Sequence, residues 1–417
     1  MSTLAHETEI VDIARSRTST FAAFTVPNYP RLWTIGLLWN MTRWMSVFLC
    51  TFLVNRLTHS PFLVQAVGAA FFAPMFLTGA LGGVISDRLD RRRTMLCLLL
   101  VLIPVASLMA AVNLAGVIET WMVYPFMLVI GVSMVVDMTS RRALVYDLVG
   151  KEFVTNALAL ESLAMTGGTL LGGLGVGTII SLLGIGQAFL LVAGAYVLAF
   201  AIMLGVPNPK SGPAPAGERT DVFDDLKAAF AYVRGHRTLV SILGVTVIMN
   251  VFYHSFIPMI PVFADRLDVN PFWTGILASG PALGSITGAF MIARGLPVGR
   301  GRAYVGGSVF ALVFLCAFAL SGWYPLALVC LLLAGLGISG FATMQSALVL
   351  TSAEDAMRGR AMGLLSMAIG VLPFAMLLLG GVAQTVGPST GVAASALIGL
   401  GVIGAWTYAR PEARRLV

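Results

Sequence analysis

Twelve mostly apolar stretches follow one another along the chain, and each reaches the ~20 residues a helix needs to cross a bilayer. They cover 32–54, 62–86, 94–114, 121–140, 155–180, 186–206, 239–262, 271–293, 303–321, 324–346, 360–385 and 388–409. Lipid offers backbone N–H and C=O groups no partner, so an open chain crossing it must be helical. The composition agrees, with 58% hydrophobic and 11% charged residues, where a soluble domain carries about 25% charged. The expected class is an all-α integral membrane protein with twelve transmembrane helices.

The charges orient these helices. With both termini in the cytoplasm, all but three of the 26 Lys and Arg residues fall in cytoplasmic tails or loops. The exceptions are Arg56 and Arg266 outside and Arg43 within a span. Such asymmetry sets orientation, because arginine crosses hydrocarbon only at high cost. It also accounts for the net charge of +7 without a nucleic-acid partner. Residues 1–20 are polar and lack an apolar core, so no cleavable signal peptide is expected. Cys50, Cys97, Cys316 and Cys330 all fall in apolar spans, without disulfide or metal-ligand spacing. Lysine occurs only at 151, 210 and 227, a weak sign of a GC-rich bacterial source.

A Pro/Gly/Ala-rich linker at 207–217 divides the spans six and six. Beyond it Thr220 or Asp221 can cap a short helix in which Phe223, Leu226, Phe230 and Val233 recur at helical spacing. Such an amphipathic helix suits the inner membrane face. The expected organisation is a cytoplasmic tail (1–31), a six-helix bundle (32–206), a cytoplasmic linker with its helix (207–238), a second six-helix bundle (239–409) and a tail (410–417). The halves resemble each other: Arg142-Ala143-Leu144-Val145 matches Ser346-Ala347-Leu348-Val349, and Gly177 matches Gly381, all at an offset of 204. Two pseudo-symmetric bundles place a substrate site near mid-membrane between them.

The spacing Gly83-x-x-x-Asp87-Arg88-x-x-Arg91-Arg92 resembles the signature of the loop between spans two and three in the major facilitator superfamily of secondary transporters. The eighth position of that signature, usually Gly, is Asp90 here. The resemblance implies that Gly83, Asp87, Arg88, Arg91 and Arg92 form a cytoplasmic gate, with Asp87 near Arg358-Gly359-Arg360 at the start of span eleven. The plainer reading is that the arginines only fix topology. Arg31-Leu32-Trp33, Ser60-Pro61-Phe62-Leu63-Val64 and Met357-Arg358-Gly359-Arg360-Ala361-Met362-Gly363 are similar to the transmembrane secretion effector branch, which includes enterobactin-exporter-like and macrolide-efflux-like proteins. That branch commonly carries Asp at the position of Asp90. Gly168-Thr169-Leu170-Leu171-Gly172-Gly173 resembles the antiporter motif of exporters, with Thr169 in place of Pro. Gly168, Gly172 and Gly173 equally suit plain small-residue helix packing. The exporters' arginine motif of span four is missing, since Gly131 to Ser140 contains no Arg.

Three ionisable residues lie within spans: Arg43, Asp137 and Glu161. A charge at the bilayer centre costs at least ~2.5–3.5 kcal/mol, so each should face a partner or a wet cavity. Arg43 lies ~18 Å beyond Arg31 and Glu161 at most ~15 Å beyond Lys151 at the helical rise, which predicts an Arg43–Glu161 pair, direct or through water. Asp137 precedes Arg141 by one turn and suits an i,i+4 partnership near the inner surface. Glu161, with Asp137, is the candidate proton carrier, and a permanent ion pair is the bland alternative. Arg43, Asn40, Trp44, Asn250, Tyr253 and His254 are the candidate substrate contacts. His254 titrates near neutrality, although a satisfied structural histidine explains it equally. Trp39, Trp44, Phe71, Phe72 and Phe76 suggest an aromatic cavity wall.

The expected function is proton-coupled export of a small amphipathic compound (drug, antibiotic or siderophore) by alternating access in a bacterial cytoplasmic membrane. Import or facilitated entry of a nutrient is the alternative. An enzyme is not expected, for want of a metal-ligand cluster or a G-x-S-x-G elbow. The chain also lacks an ATP-binding G-x-x-x-x-G-K-[ST] loop and a sensor domain. Its expected partners are the small-molecule substrate, protons and lipid, with no cofactor, and it is expected to act as a monomer.

Overall fold

The computed structural model describes residues 21–79, 90–208, 222–294, 299–354 and 357–415. After a short 3-10 turn at Ala22–Thr25 come α1 (Tyr29–Thr58), α2 (Pro61–Gly79), α3 (Arg91–Leu114), α4 (Thr120–Leu182) and α5 (Ile185–Leu204). The second half holds α6 (Val222–Gly235), α7 (Arg237–Phe252), a 3-10 turn at His254–Met259, α8 (Ile260–Arg266), α9 (Pro271–Ala293) and α10 (Arg300–Leu320). Then follow α11 (Tyr324–Ser352), α12 (Arg358–Ile369), α13 (Leu372–Val386), α14 (Pro388–Ala409) and α15 (Glu412–Arg415). Ten helical stretches among the described residues are long and apolar enough to cross a membrane, and Pro61–Phe76 is a shorter apolar one. One of the ten, the 63-residue α4, has two legs, so with the shorter α2 the described residues hold twelve apolar helical segments in two bundles of six.

Four expected spans differ in detail. Spans four and five are joined as one helical rod, with Gly150 (φ 68°, ψ −178°) dividing it into two legs. That conformation is open to glycine and strained for other residues. The contact of Arg141 with Glu161, twenty residues apart, shows that the legs double back side by side. Span seven breaks after Phe252 and restarts at Ile260. Pro258 and Pro261 remove N–H donors there and crowd the preceding turn. Span eleven breaks at Gly370 and Val371, ahead of Pro373. The second span is helical over Pro61–Gly79, and its expected continuation to residue 86 lies outside the described residues.

The helices share two ends. One, the arginine end, carries Arg31, the Arg91–Arg93 run, Arg142, Arg237, Arg300, Arg358 and Arg410. The other, the far end, carries the turns at 59–60, 115–119, 183–184, 267–270 and 321–323. Exposed Trp121, Trp273 and Trp323 stand at these far turns, where amphipathic rings suit a headgroup boundary.

The bundles meet along two crossings related by the internal repeat. The second leg of α4 packs on α9: an added Cβ at Gly177 would lie 2.6 Å from the Cα of Gly275, so the backbones touch. Likewise α2 packs on α13, where a Cβ at Gly380 would lie 2.8 Å from that of Gln65. Helix α6 packs on the start of α12 and on α7, with Val233 buried and Phe230 exposed.

Candidate functional site

The interior of the first bundle holds four charged side chains in one chain of contacts. Arg43 Nη2 donates to Asp137 Oδ2 at 3.0 Å, and its Nη1 donates to Asn40 Oδ1 at 2.9 Å. Asp137 also accepts from Arg141 Nε at 3.0 Å. Arg141 Nη1 in turn donates to Glu161 Oε2. The order is therefore Arg43–Asp137–Arg141–Glu161, with two positive and two negative charges. Asp137 is fully buried, and Arg43 and Arg141 nearly so. Burying the charges in pairs removes most of the cost that a lone charge would meet in the membrane.

Local structure builds this chain. Tyr29 OH donates to the Ala157 carbonyl at 2.9 Å and Trp33 Nε1 to the Leu160 carbonyl at 2.8 Å, zipping α1 to the second leg of α4. Gly36 then leaves room for the Arg141 guanidinium: an added Cβ would sit 2.3 Å from Arg141 Nη1. Farther along, Gly168 and Gly172 let α4 approach Asn40, Met41 and Trp44, while Gly173 faces Ser279 of the second bundle.

The expected Arg43–Glu161 pair is corrected by this geometry. Arg43 reaches Asp137 instead, and Arg141 stands between it and Glu161. The i,i+4 contact of Asp137 with Arg141 is present, but in the buried interior rather than at a solvated surface. Arg141 is the functional candidate that sequence reasoning passed over. Its signal was its spacing, four residues beyond a membrane-embedded acid. Two polar atoms of the chain, Glu161 Oε1 and Arg43 Nε, are buried without a hydrogen-bond partner.

In the second bundle the polar interior is neutral. Gln345 Nε2 donates to Thr246 Oγ1 at 3.2 Å, and the Thr246 and Tyr304 hydroxyls lie 2.9 Å apart. Asn250 is buried and its amide donates to the Thr246 carbonyl at 2.9 Å. Tyr253 is buried against His254 and Phe256. His254 Nδ1 lies 3.3 Å from the Met249 carbonyl, and its ring packs near Phe341. Asn250 and Tyr253 are thus packed within their own bundle. Trp44 stacks on Phe48 and lies beside Phe71, while Phe76 meets Phe374 across the seam. A cleft of about 530 Å³ opens at the far end between Phe52, Asn55, Arg56, His59, Asp265 and Asp268.

Of the expected gate, Gly83, Asp87 and Arg88 lie outside the described residues. Arg91 pairs with Asp147, and Arg92 donates to the Val206 and Leu204 carbonyls at 2.6 and 2.9 Å. Both contacts are within the first bundle. Asp90 caps α3 by accepting from the Arg93 N–H at 3.0 Å, and that bond holds its carboxyl below its usual pKa. Among the described residues no group of three His, Cys, Asp or Glu side chains is placed to hold a metal ion.

The pattern of the transmembrane secretion effector family matches residues 18–414, nearly the whole chain. The chain belongs to that family. The transmembrane secretion effectors are a branch of the major facilitator superfamily, and solved structures show the same fold. A bacterial homologue of the human lysosomal transporter Spinster, inward-facing and occupied, is similar at 13% identity and TM-score 0.71, covering 95% of this chain and 98% of its own. A D-xylose–proton symporter is similar at 14% identity and TM-score 0.70, covering 96% of this chain and 100% of its own. The peptide transporter PepTSo is similar at 13% identity and TM-score 0.71, covering 93% and 98%. None of the curated proteins matches the chain in sequence. The protein is therefore a multi-pass membrane transporter.

Proposed function

We propose that this transporter exports a small amphipathic compound, such as a drug, antibiotic or siderophore, in exchange for protons by alternating access. It would act as a monomer in a bacterial cytoplasmic membrane with the arginine end in the cytoplasm, where the arginine count favours it. The observation that carries the proposal is the unequal sharing of Arg141. Asp137 has two arginines, whereas Glu161 has an ion pair with Arg141 alone and a second oxygen without a partner. If Arg141 turns fully to Asp137 as the bundles rock, Glu161 loses its counter-ion and takes up a proton. Its return displaces that proton. Arg43, itself held by Asn40, stays paired with Asp137, and Trp44 supplies an apolar surface beside the seam.

In this reading Asp87 and Arg88 close the cytoplasmic side against the start of α12, where arginines and the helix dipole favour a carboxylate. Asn250, Tyr253 and His254 contribute to the substrate path only once the second bundle moves. The decisive experiment is Glu161→Gln in everted vesicles with an imposed pH gradient and a fluorescent lipophilic cation as cargo. Gradient-driven accumulation should fall to the level of vesicles lacking the protein. Undiminished coupling would remove Glu161 from the proton path, and drug susceptibility unchanged by the gene would count against export.

A further inference from the structure

The far end of the seam is joined by side chains that the transport reading above leaves unused. Asn55 Nδ2 of α1 donates to Asp265 Oδ2 of α8 at 2.5 Å. Ser60 Oγ donates to Gln384 Oε1 of α13 at 2.8 Å, and the Phe62 N–H lies 3.4 Å from the same oxygen. Gln384 thus caps the first turn of α2 from the opposite bundle. Deeper in, Gln65 Nε2 of α2 donates to the Ser255 carbonyl at 2.8 Å. Gln65 and Ser255 are both fully buried.

The Ser255 carbonyl needs a donor for a reason written in span seven. It lies in the 3-10 turn, where its partner would be the N–H three residues on. That residue is Pro258, which has none. An unpaired buried carbonyl is unfavourable, because it has given up its bond to water and gained none in return. Gln65 makes up for the missing donor, and it can do so only while the two bundles touch at this end.

We propose that Gln65 is the positioning residue that holds the far end of the transporter closed. It does so by satisfying the carbonyl that Pro258 leaves open, with Asn55–Asp265 and Ser60–Gln384 as outer rungs of the same latch. Opening the far end strands the Ser255 carbonyl until water enters, so the broken span is what ties the state of span seven to the position of α2. The inference requires only that the bundles move, and it is independent of cargo and coupling ion.

The test is a distance measurement on the full chain in lipid nanodiscs. Spin labels are placed through Leu57→Cys and Arg266→Cys, on exposed sites of the two bundles at the far end, after replacing the four free cysteines. Pulsed dipolar spectroscopy then reads the ratio of open to closed distances. Gln65→Met should raise that ratio about five-fold, the worth of one hydrogen bond. Pro258→Ala restores the missing N–H, so adding Gln65→Met to it should have little further effect. Gln384→Ala should open the end slightly, about two-fold, whereas Gln384→Glu should close it, since a carboxylate is favoured at a helix N-terminus. The two Gln384 variants alter an exposed side chain and leave the core intact. An unchanged distribution in Gln65→Met, an equal Gln65→Met effect with and without Pro258→Ala, or the same sign for both Gln384 variants would overturn the proposal.

Discussion

In the first bundle Arg43, Asp137, Arg141 and Glu161 meet as ionised side chains; in the second, Thr246, Asn250, Tyr304 and Gln345 meet as neutral ones. The internal repeat sharpens the contrast. At the offset of 204, Arg141 corresponds to Gln345, Asp137 to Phe341 and Glu161 to Leu365. The helix pattern has been kept in both halves, and the charge in only one. The neutral network is held by hydrogen bonds within its own bundle. A charged one with an arginine shared between two acids has two alternative pairings of similar kind. On the proposed mechanism the first bundle therefore carries the proton step, and the second supplies a polar but uncharged wall.

The strongest attempt to break this contrast compares Arg141→Leu with Gln345→Leu. The first leaves Glu161 buried without its cation and should cost about 3–5 kcal/mol. The second removes one neutral hydrogen bond and should cost about 1 kcal/mol. Thermal unfolding in detergent, followed by thiol-reactive dye, measures both, and equal losses would abolish the distinction between the bundles. Next in size is Gly36→Ala, which drives a methyl into the Arg141 guanidinium and should cost about 1–3 kcal/mol. Gly363→Ala, where nothing lies within 4 Å of an added Cβ, should instead be neutral or stabilise by up to about 1 kcal/mol, the helix preference for Ala over Gly. A comparably small effect concerns a charge outside both interiors. Asp90→Ala should cost about 1 kcal/mol through loss of the α3 cap. Because folding lowers the Asp90 pKa, its contribution is present above the ordinary carboxylate pKa and fades as pH falls. Unfolding scans of wild type and variant at neutral pH and near pH 3 should converge at the acid end.

Much of the architecture was legible because lipid restricts a chain more severely than water does. Apolar length gave the crossings. Span seven was expected as one continuous stretch, and its break at Pro258 and Pro261 went unread. The Arg43–Glu161 expectation failed for an equally physical reason. Depth along a helix follows from residue number, but which side chains face each other depends on how helices rotate about their axes. Arg141 sits at the edge of an apolar stretch, where a basic residue reads as a topological marker. Only the doubling back of α4 at Gly150, and the space left by Gly36, turn it inward between two acids. The cross-bundle bond from Gln65 to Ser255 was equally silent, since it joins residues 190 apart.

By itself the sequence determined that the chain is a helical membrane protein, how many times it crosses, and that its halves repeat. These follow from hydropathy, charge asymmetry and internal similarity, each of which is a property of residue order. Beyond the i,i+4 contact of Asp137 with Arg141, the tertiary structure alone decided the partners of the buried charges and the side chains that bridge the bundles. Those depend on helix rotation and close approach, which are fixed by packing over the whole interior and leave no mark on any single stretch.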